Sequence, residues 1–81
     1  MHELSIALSL VELACEEASQ RQLGSVQALH LRIGAQSGVV KEALRFSFDV
    51  AASGTPIEGA TLSIEDTSGA ELELFALEVT E

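Results

Sequence analysis

The stretch VQALHLRI, residues 26–33, alternates with period two and carries the clearest structural signal in the chain. One face holds Leu29, Leu31 and Ile33, and the other holds Ala28, His30 and Arg32. Because successive side chains of a strand point to opposite faces, this alternation predicts a strand with one buried face. No second ligand-type residue accompanies His30 at strand spacing, so we interpret it as a solvated surface histidine.

The segment before this strand predicts a helix over residues 4–21. Its apolar residues recur at steps of three and four, with two alanines beside them: Leu4, Leu8, Val11, Cys15 and Ala18, then Ala7 and Ala14. A second apolar flank is formed by Ile6, Leu10 and Leu13, which predicts cover on more than one side. Cys15 lies on the stripe and is interpreted as a buried structural thiol.

After the strand, residues 41–52 predict a second helix. Its buried side is marked by Leu44, Phe48 and Ala51, with Phe46 and Val50 nearby. Ser37 is the predicted cap at its start. Gly54, with Pro56 just beyond it, is the predicted stop.

Two further strands complete the chain. Residues 60–65 alternate again, residues 66–69 have turn composition, and residues 71–76 resume the alternation. The apolar positions then shift to Leu77 and Val79, which predicts a bulge. The order helix, strand, helix, strand, strand indicates one α+β domain over residues 1–81, a two-layer fold with a three-stranded sheet packed with two helices.

Composition excludes several classes of function. The 81 residues include four Lys+Arg and thirteen Asp+Glu, a formal net charge of −9, which argues against nucleic acid and anionic membrane surfaces as partners. No apolar run approaches the ~20 residues of a membrane span, and the start lacks a basic signal region. We therefore expect a cytoplasmic protein. No Ser/His/Asp or Cys/His arrangement indicates an enzyme.

The most informative chemistry lies at Met1, His2 and Glu3. Since His2 is large, Met1 is expected to escape trimming, which leaves a free α-amine one residue before an imidazole. A metal ion can displace the protons of both groups at neutral pH. The backbone amide of His2 lies between them, and the amide of Glu3 can supply a further nitrogen.

Such a nitrogen-rich, planar donor set favours Ni²⁺ or Cu²⁺ over tetrahedral Zn²⁺ or octahedral Mg²⁺. The residues alone do not separate nickel from copper. Glu3 also has a simpler interpretation, because an acidic side chain in the first turn stabilises a helix N-terminus.

The wider pattern resembles the HypA family of nickel-insertion accessory proteins for hydrogenase and urease. The matching segments are MHELS at 1–5, LRIG at 31–34, SGVV at 37–40, LRFSFD at 44–49, GTPIEGA at 54–60, LSI at 62–64, GAELEL at 69–74 and LEV at 77–79. They occur in the family's order over nearly the whole chain.

The resemblance implies a nickel metallochaperone rather than an enzyme. It implies Ni²⁺ bound by the Met1 amine, by His2 and by the backbone of Glu3, for delivery during [NiFe]-hydrogenase maturation. The implied partners are the GTPase HypB and the hydrogenase large subunit.

One departure from the family is large. The resemblance implies a zinc domain with two Cys-x-x-Cys pairs between the last two strands, yet the sequence has one cysteine. We therefore expect no zinc, and a short replacement turn near residues 66–70. Four thiolates would be needed to close a structural zinc site.

The short turn leaves an alternative open. If the last two strands are not neighbours in the sheet, we expect that the turn cannot span them and that the last strand is exchanged with a second molecule, giving a homodimer. The alternative function is then a metal-independent protein-interaction scaffold.

Overall fold

A computed structural model describes residues 2–80 of the chain. The elements are α1 (Glu3–Gln20), β1 (Ser25–Gly34), α2 (Lys41–Ala52), β2 (Thr61–Thr67) and β3 (Leu72–Thr80). The predicted fold class and element order are confirmed. The predicted bounds of α2 agree with the structure, and β1 is longer than predicted by one residue at each end. β2 begins one residue later and ends two residues later than predicted, so Asp66 and Thr67 of the predicted turn belong to the strand.

The sheet has the strand order β2-β1-β3. β1 is central and pairs parallel with β2 and antiparallel with β3. Leu29, Leu31 and Ile33 are completely buried, as their alternation predicts. They form the core together with residues of both helices. On the opposite face His30 and Arg32 are half-buried, and Ala28, predicted to lie on that polar face, is buried.

Helix α1 buries three residues of the predicted apolar stripe and one residue of the predicted second flank. Its buried positions are Ala7, Leu10, Val11 and Ala14. Leu4 and Leu8, which belong to the predicted stripe, are 50% and 52% exposed. The small side chains of the two alanines permit close packing at the centre of the contact, and the larger leucines fall on its flanks.

Helix α2 begins and ends differently in detail from the prediction. Ser37 does not cap it: the N-cap is Val40, and Ser37 Oγ instead accepts a hydrogen bond of 3.2 Å from the Val39 N–H. Phe46 is 72% exposed rather than near the core. Gly54, at φ +78°, follows the C-cap Ser53 and confirms the predicted stop.

The rest of the buried side of α2 also shifts by one residue. Leu44 and Phe48 are buried as predicted, but the third buried position is Ala52, and the predicted Ala51 is half-buried. Val50 is 54% exposed. The 3.6-residue period places position 52, four residues after Phe48, more squarely over the core than position 51.

The predicted bulge in β3 is present at Phe75. His30 of β1 pairs with Ala76 and Leu31 pairs with Leu74, which leaves Phe75 as the extra residue. The alternation predicted Ala76 on the apolar face with Leu72 and Leu74. Because of the bulge, Ala76 instead lies opposite His30 and is exposed.

The expectation that a short turn cannot join non-adjacent strands is wrong. β2 and β3 lie on opposite sides of β1, and residues 68–71 join them by crossing the end of β1. A few extended residues reach across two strand spacings of about 5 Å each.

Three backbone hydrogen bonds of 2.8 Å hold this crossing in place. Gly34 donates to the Glu71 carbonyl, Ala35 to Thr67 and Gln36 to Gly69. A Cβ atom on Gly34 would overlap the Gly69 carbonyl, so the path requires glycine there. The chain therefore completes its own sheet, and the stated reason for strand exchange does not apply.

Candidate metal centre

The structure places His2 and Glu3 at the start of α1. His2 is the N-cap and is exposed, with φ −86° and ψ 86°, and Glu3 is the first helical residue. Met1, the third predicted ligand, lies outside the described residues. The two described ligands are adjacent in the chain, so their nitrogens are consecutive along one exposed backbone segment.

The backbone amides at this point are free of helical hydrogen bonds. The first bond of the helix is donated by the Ile6 N–H to the His2 carbonyl oxygen, at 3.2 Å. The preceding amides have no carbonyl partner within a helix. A metal ion that displaces the amide proton of His2 or Glu3 therefore breaks no helical hydrogen bond, and negative charge left on the nitrogen is favoured by the helix dipole.

The Glu3 carboxylate ties this segment to the second helix. Its Oε2 accepts a hydrogen bond of 3.0 Å from the backbone N–H of Val40, the N-cap of α2. This bond is the main reason that the pKa of Glu3 lies below its ordinary value, with the Glu3 backbone N–H acting in the same direction. The starts of the two helices are thereby joined beside the candidate ligands.

The donor set available here is of backbone type. Across residues 2–80 no group of three or more His, Cys, Asp or Glu side chains is placed to hold a metal ion. Of the predicted ligands, the structure describes the exposed His2 and the backbone of Glu3.

His30 is not part of this centre. Its Nε2 lies 3.2 Å from Glu78 Oε1 on β3, and its side chain is 30% exposed. The predicted surface position is right, but the histidine has a carboxylate partner from the neighbouring strand. That partner is 48 residues away in sequence, so no local pattern indicated it.

Sequence reasoning missed a cluster around Arg32 on the same outer face of the sheet. Its Nη1 lies 3.1 Å from Glu73 Oε1 and its Nε 3.5 Å from Glu65 Oε1, and the guanidinium lies 3.8 Å from the centre of the Phe75 ring. The hydrogen bond with Glu73 raises the pKa of Arg32. The cluster joins all three strands and could be found only from the sheet order.

Cys15 is half-buried rather than fully buried. It lines a cavity of about 240 Å³ together with residues of the α1–β1 connection and with Pro56 and Ile57. Its packing against the core supports the structural interpretation of this thiol.

Among the described residues, the helices fall short of the length and apolar character that a membrane span needs.

Comparison with known proteins gives one family. Residues 1–72 match the family model HypA, described as hydrogenase/urease nickel incorporation, metallochaperone. A hydrogenase maturation factor HypA of Roseiflexus sp. (strain RS-1) is 58% identical over 66 residues, which cover 82% of this chain and 54% of the relative. The same-named protein of Chloroflexus aurantiacus (strain ATCC 29366 / DSM 635 / J-10-fl) is 54% identical and is covered over 58% of its length. The chain thus spans about half the length of these relatives.

Solved structures agree on the fold. The solution structure of the Ni metallochaperone HypA from Helicobacter pylori matches with a TM-score of 0.86 at 22% identity, over 98% of this chain and 97% of that one. A solution structure of HypA protein matches with a TM-score of 0.82, also at 22% identity.

Proposed function

We propose that this chain, which belongs to the HypA family, binds Ni²⁺ at its N-terminus and delivers it during [NiFe]-hydrogenase maturation. The ligands are the Met1 amine, the His2 imidazole and amide, and the Glu3 amide. Nickel is the cargo of such a protein, so the site must both hold and release it. The same role implies a cytoplasmic location and no catalytic activity.

The observation that carries this proposal is the position of His2 and Glu3 at the start of α1. Their amides precede the first helical hydrogen bond, from Ile6 to His2. Deprotonated amides can therefore enter the coordination plane without unwinding the helix. His2 is exposed, which leaves the ion open to stepwise exchange of ligands with a receiving protein.

We propose further that the chain is the nickel-binding part of the family's architecture without the zinc-binding part. The single cysteine and the direct crossing at residues 68–71 support this proposal. No zinc is then needed, and any effect of zinc on nickel loading is lost. HypB and the hydrogenase large subunit remain the proposed partners.

The test is a calorimetric titration of the chain beginning at Met1 with Ni²⁺ at neutral pH. Loss of a direct ligand in His2→Ala should weaken binding by at least about tenfold, because even residues that merely support a ligand contribute that much. His30→Ala is the matched control and should keep the affinity within about twofold, since this ring contacts Glu78 instead. Equal affinities for the two variants would refute the site and favour the metal-independent scaffold.

A further inference from the structure

The two edge strands of the sheet, β2 and β3, differ in how far other parts of the chain cover them. At β2, side chains of α2 reach the strand: Arg45 Nη1 donates a hydrogen bond of 2.6 Å to the Leu62 carbonyl oxygen, and Lys41 pairs with Asp66. Side chains of α2 therefore partly cover this edge.

The edge at β3 is open. Among residues 2–80, the backbone pairing of β3 is with β1, and no other backbone group bonds to Leu72–Thr80. None of the nine residues of β3 is fully buried. A strand edge of this kind presents unpaired N–H and carbonyl groups to any extended chain that reaches it.

A groove runs beside this edge, between β3 and α1. It consists of two cavities of about 350 Å³ and about 340 Å³ that share Leu74. The first turn of α1 borders one end through Ser5 and Ile6, and Glu17 and Arg21 border the other. Leu13, which is 51% exposed, forms part of its apolar wall.

We propose that this edge binds a short extended segment of a partner protein in which apolar residues alternate with lysine or arginine. The segment adds a fourth strand beside β3, and its backbone supplies the missing hydrogen bonds. Its apolar side chains enter the groove against Leu13 and Leu74. Its basic side chains lie on the outer face beside Glu73 and Glu78, where opposite charges on neighbouring strands attract. These two carboxylates already contact Arg32 and His30, but their side chains remain 52% and 62% exposed and can accept further hydrogen bonds.

The charges favour a basic partner over a second copy of this chain. The chain carries a net charge of −9, so two copies repel each other. An antiparallel pairing of β3 with itself about its centre also sets Glu73 of one copy opposite or beside Glu78 of the other. Like charges in that arrangement destabilise a sheet.

The bulge at Phe75 limits the length of the added strand. It interrupts the regular edge, so each uninterrupted stretch of β3 offers only a few residues for pairing. The occupant is therefore a short segment rather than a long β-hairpin. One end of the groove lies at Ser5 and Ile6, in the same first turn of α1 that follows His2.

The test uses two short synthetic peptides, one alternating lysine and valine and one alternating glutamate and valine. Each is titrated into the chain while the amide hydrogen exchange of β3 is followed by NMR. The lysine peptide should bind and slow exchange along β3, and the glutamate peptide should not. Equal binding of both peptides, or unchanged exchange in β3, would overturn the proposal.

Two leucine variants of one helix locate the site. Leu13→Ser should lower the affinity for the lysine peptide by about fivefold or more, as the loss of a buried interface anchor does. Leu8→Ser is the matched control, since Leu8 is 52% exposed and lies outside the groove, and it should leave affinity unchanged. The same loss in both variants would contradict the assigned groove, as would a concentration-dependent dimer with β3 protected.

Discussion

Glu3 combines two roles at one position. Its carboxylate accepts a 3.0 Å hydrogen bond from Val40, and its amide is one of the proposed nickel donors. The side chain thus positions the backbone that carries the proposed donor.

The Val40 contact makes stability depend on pH through Glu3. Because the pKa of Glu3 in the folded chain lies below its ordinary value of 4.5, the contribution is complete above pH 4.5 and is lost as pH falls through the folded value. Glu3→Gln should therefore unfold at a lower temperature at neutral pH, and the difference from the parent should shrink on acidification.

Thermal unfolding followed by circular dichroism across this pH range measures the effect. Glu12→Gln, at an exposed position of the same helix, is the control and should leave the pH profile unchanged. A constant difference between the parent and Glu3→Gln at all pH values would contradict the role of the carboxylate.

At the scale of the elements, period-two alternation predicted residues 28–33 of β1 well, because the irregularity of this strand lies before them, between Val26 and Ala28. Leu29, Leu31 and Ile33 are all completely buried. Helix α1 was harder to predict, since it is apolar on several sides and the pattern does not reveal which side packs. Ala7 and Ala14 are buried and Leu4 is half exposed, because the packing of the helix against α2 and the sheet determines which side is covered.

The parts of the candidate site that are close in sequence could be proposed from the sequence, and the parts that depend on packing could not. His2 and Glu3 are neighbours in sequence, so the proposal that they bind a metal needed only the chain, and it stays a prediction. The bond between Glu3 and Val40 spans 37 residues and depends on how the helices pack. The same holds for the pairing of Arg32 with Glu73, which requires the order β2-β1-β3.

Gly34 is the residue of β1 that the connection between β2 and β3 crosses most closely. In Gly34→Ala the new Cβ meets the backbone of Gly69 in the crossing, and backbone cannot rotate aside as a flexible side chain can. We expect a loss of about 3 kcal/mol in the free energy of unfolding, at the upper end for overpacking. Urea denaturation measures it.

Gly54→Ala controls for the replacement of glycine itself. Gly54 has φ +78° but open space within 4 Å of the added Cβ, so the expected cost is about 1–2 kcal/mol from backbone conformation alone. If Gly34→Ala proves no more destabilising than Gly54→Ala, the close approach of residues 68–71 to Gly34 is contradicted.

For the whole molecule, the crossing at residues 68–71 makes the three-stranded sheet complete within one chain. The start of α1 is then supported by its contact with α2 and by the core beneath both helices. The proposed nickel site would be built on this scaffold. The acidic surface and the open edge of β3 remain available for partners.

The most direct test of this account is the absorption spectrum of the nickel-loaded chain, with and without a short glycine-serine extension before Met1. Four nitrogen donors in a plane predict a diamagnetic complex with the spectrum of planar nickel in the chain that begins at Met1. The extension removes the free amine and should abolish that spectrum. A paramagnetic, octahedral spectrum, or an identical planar spectrum in the extended chain, would contradict nickel binding through the N-terminus.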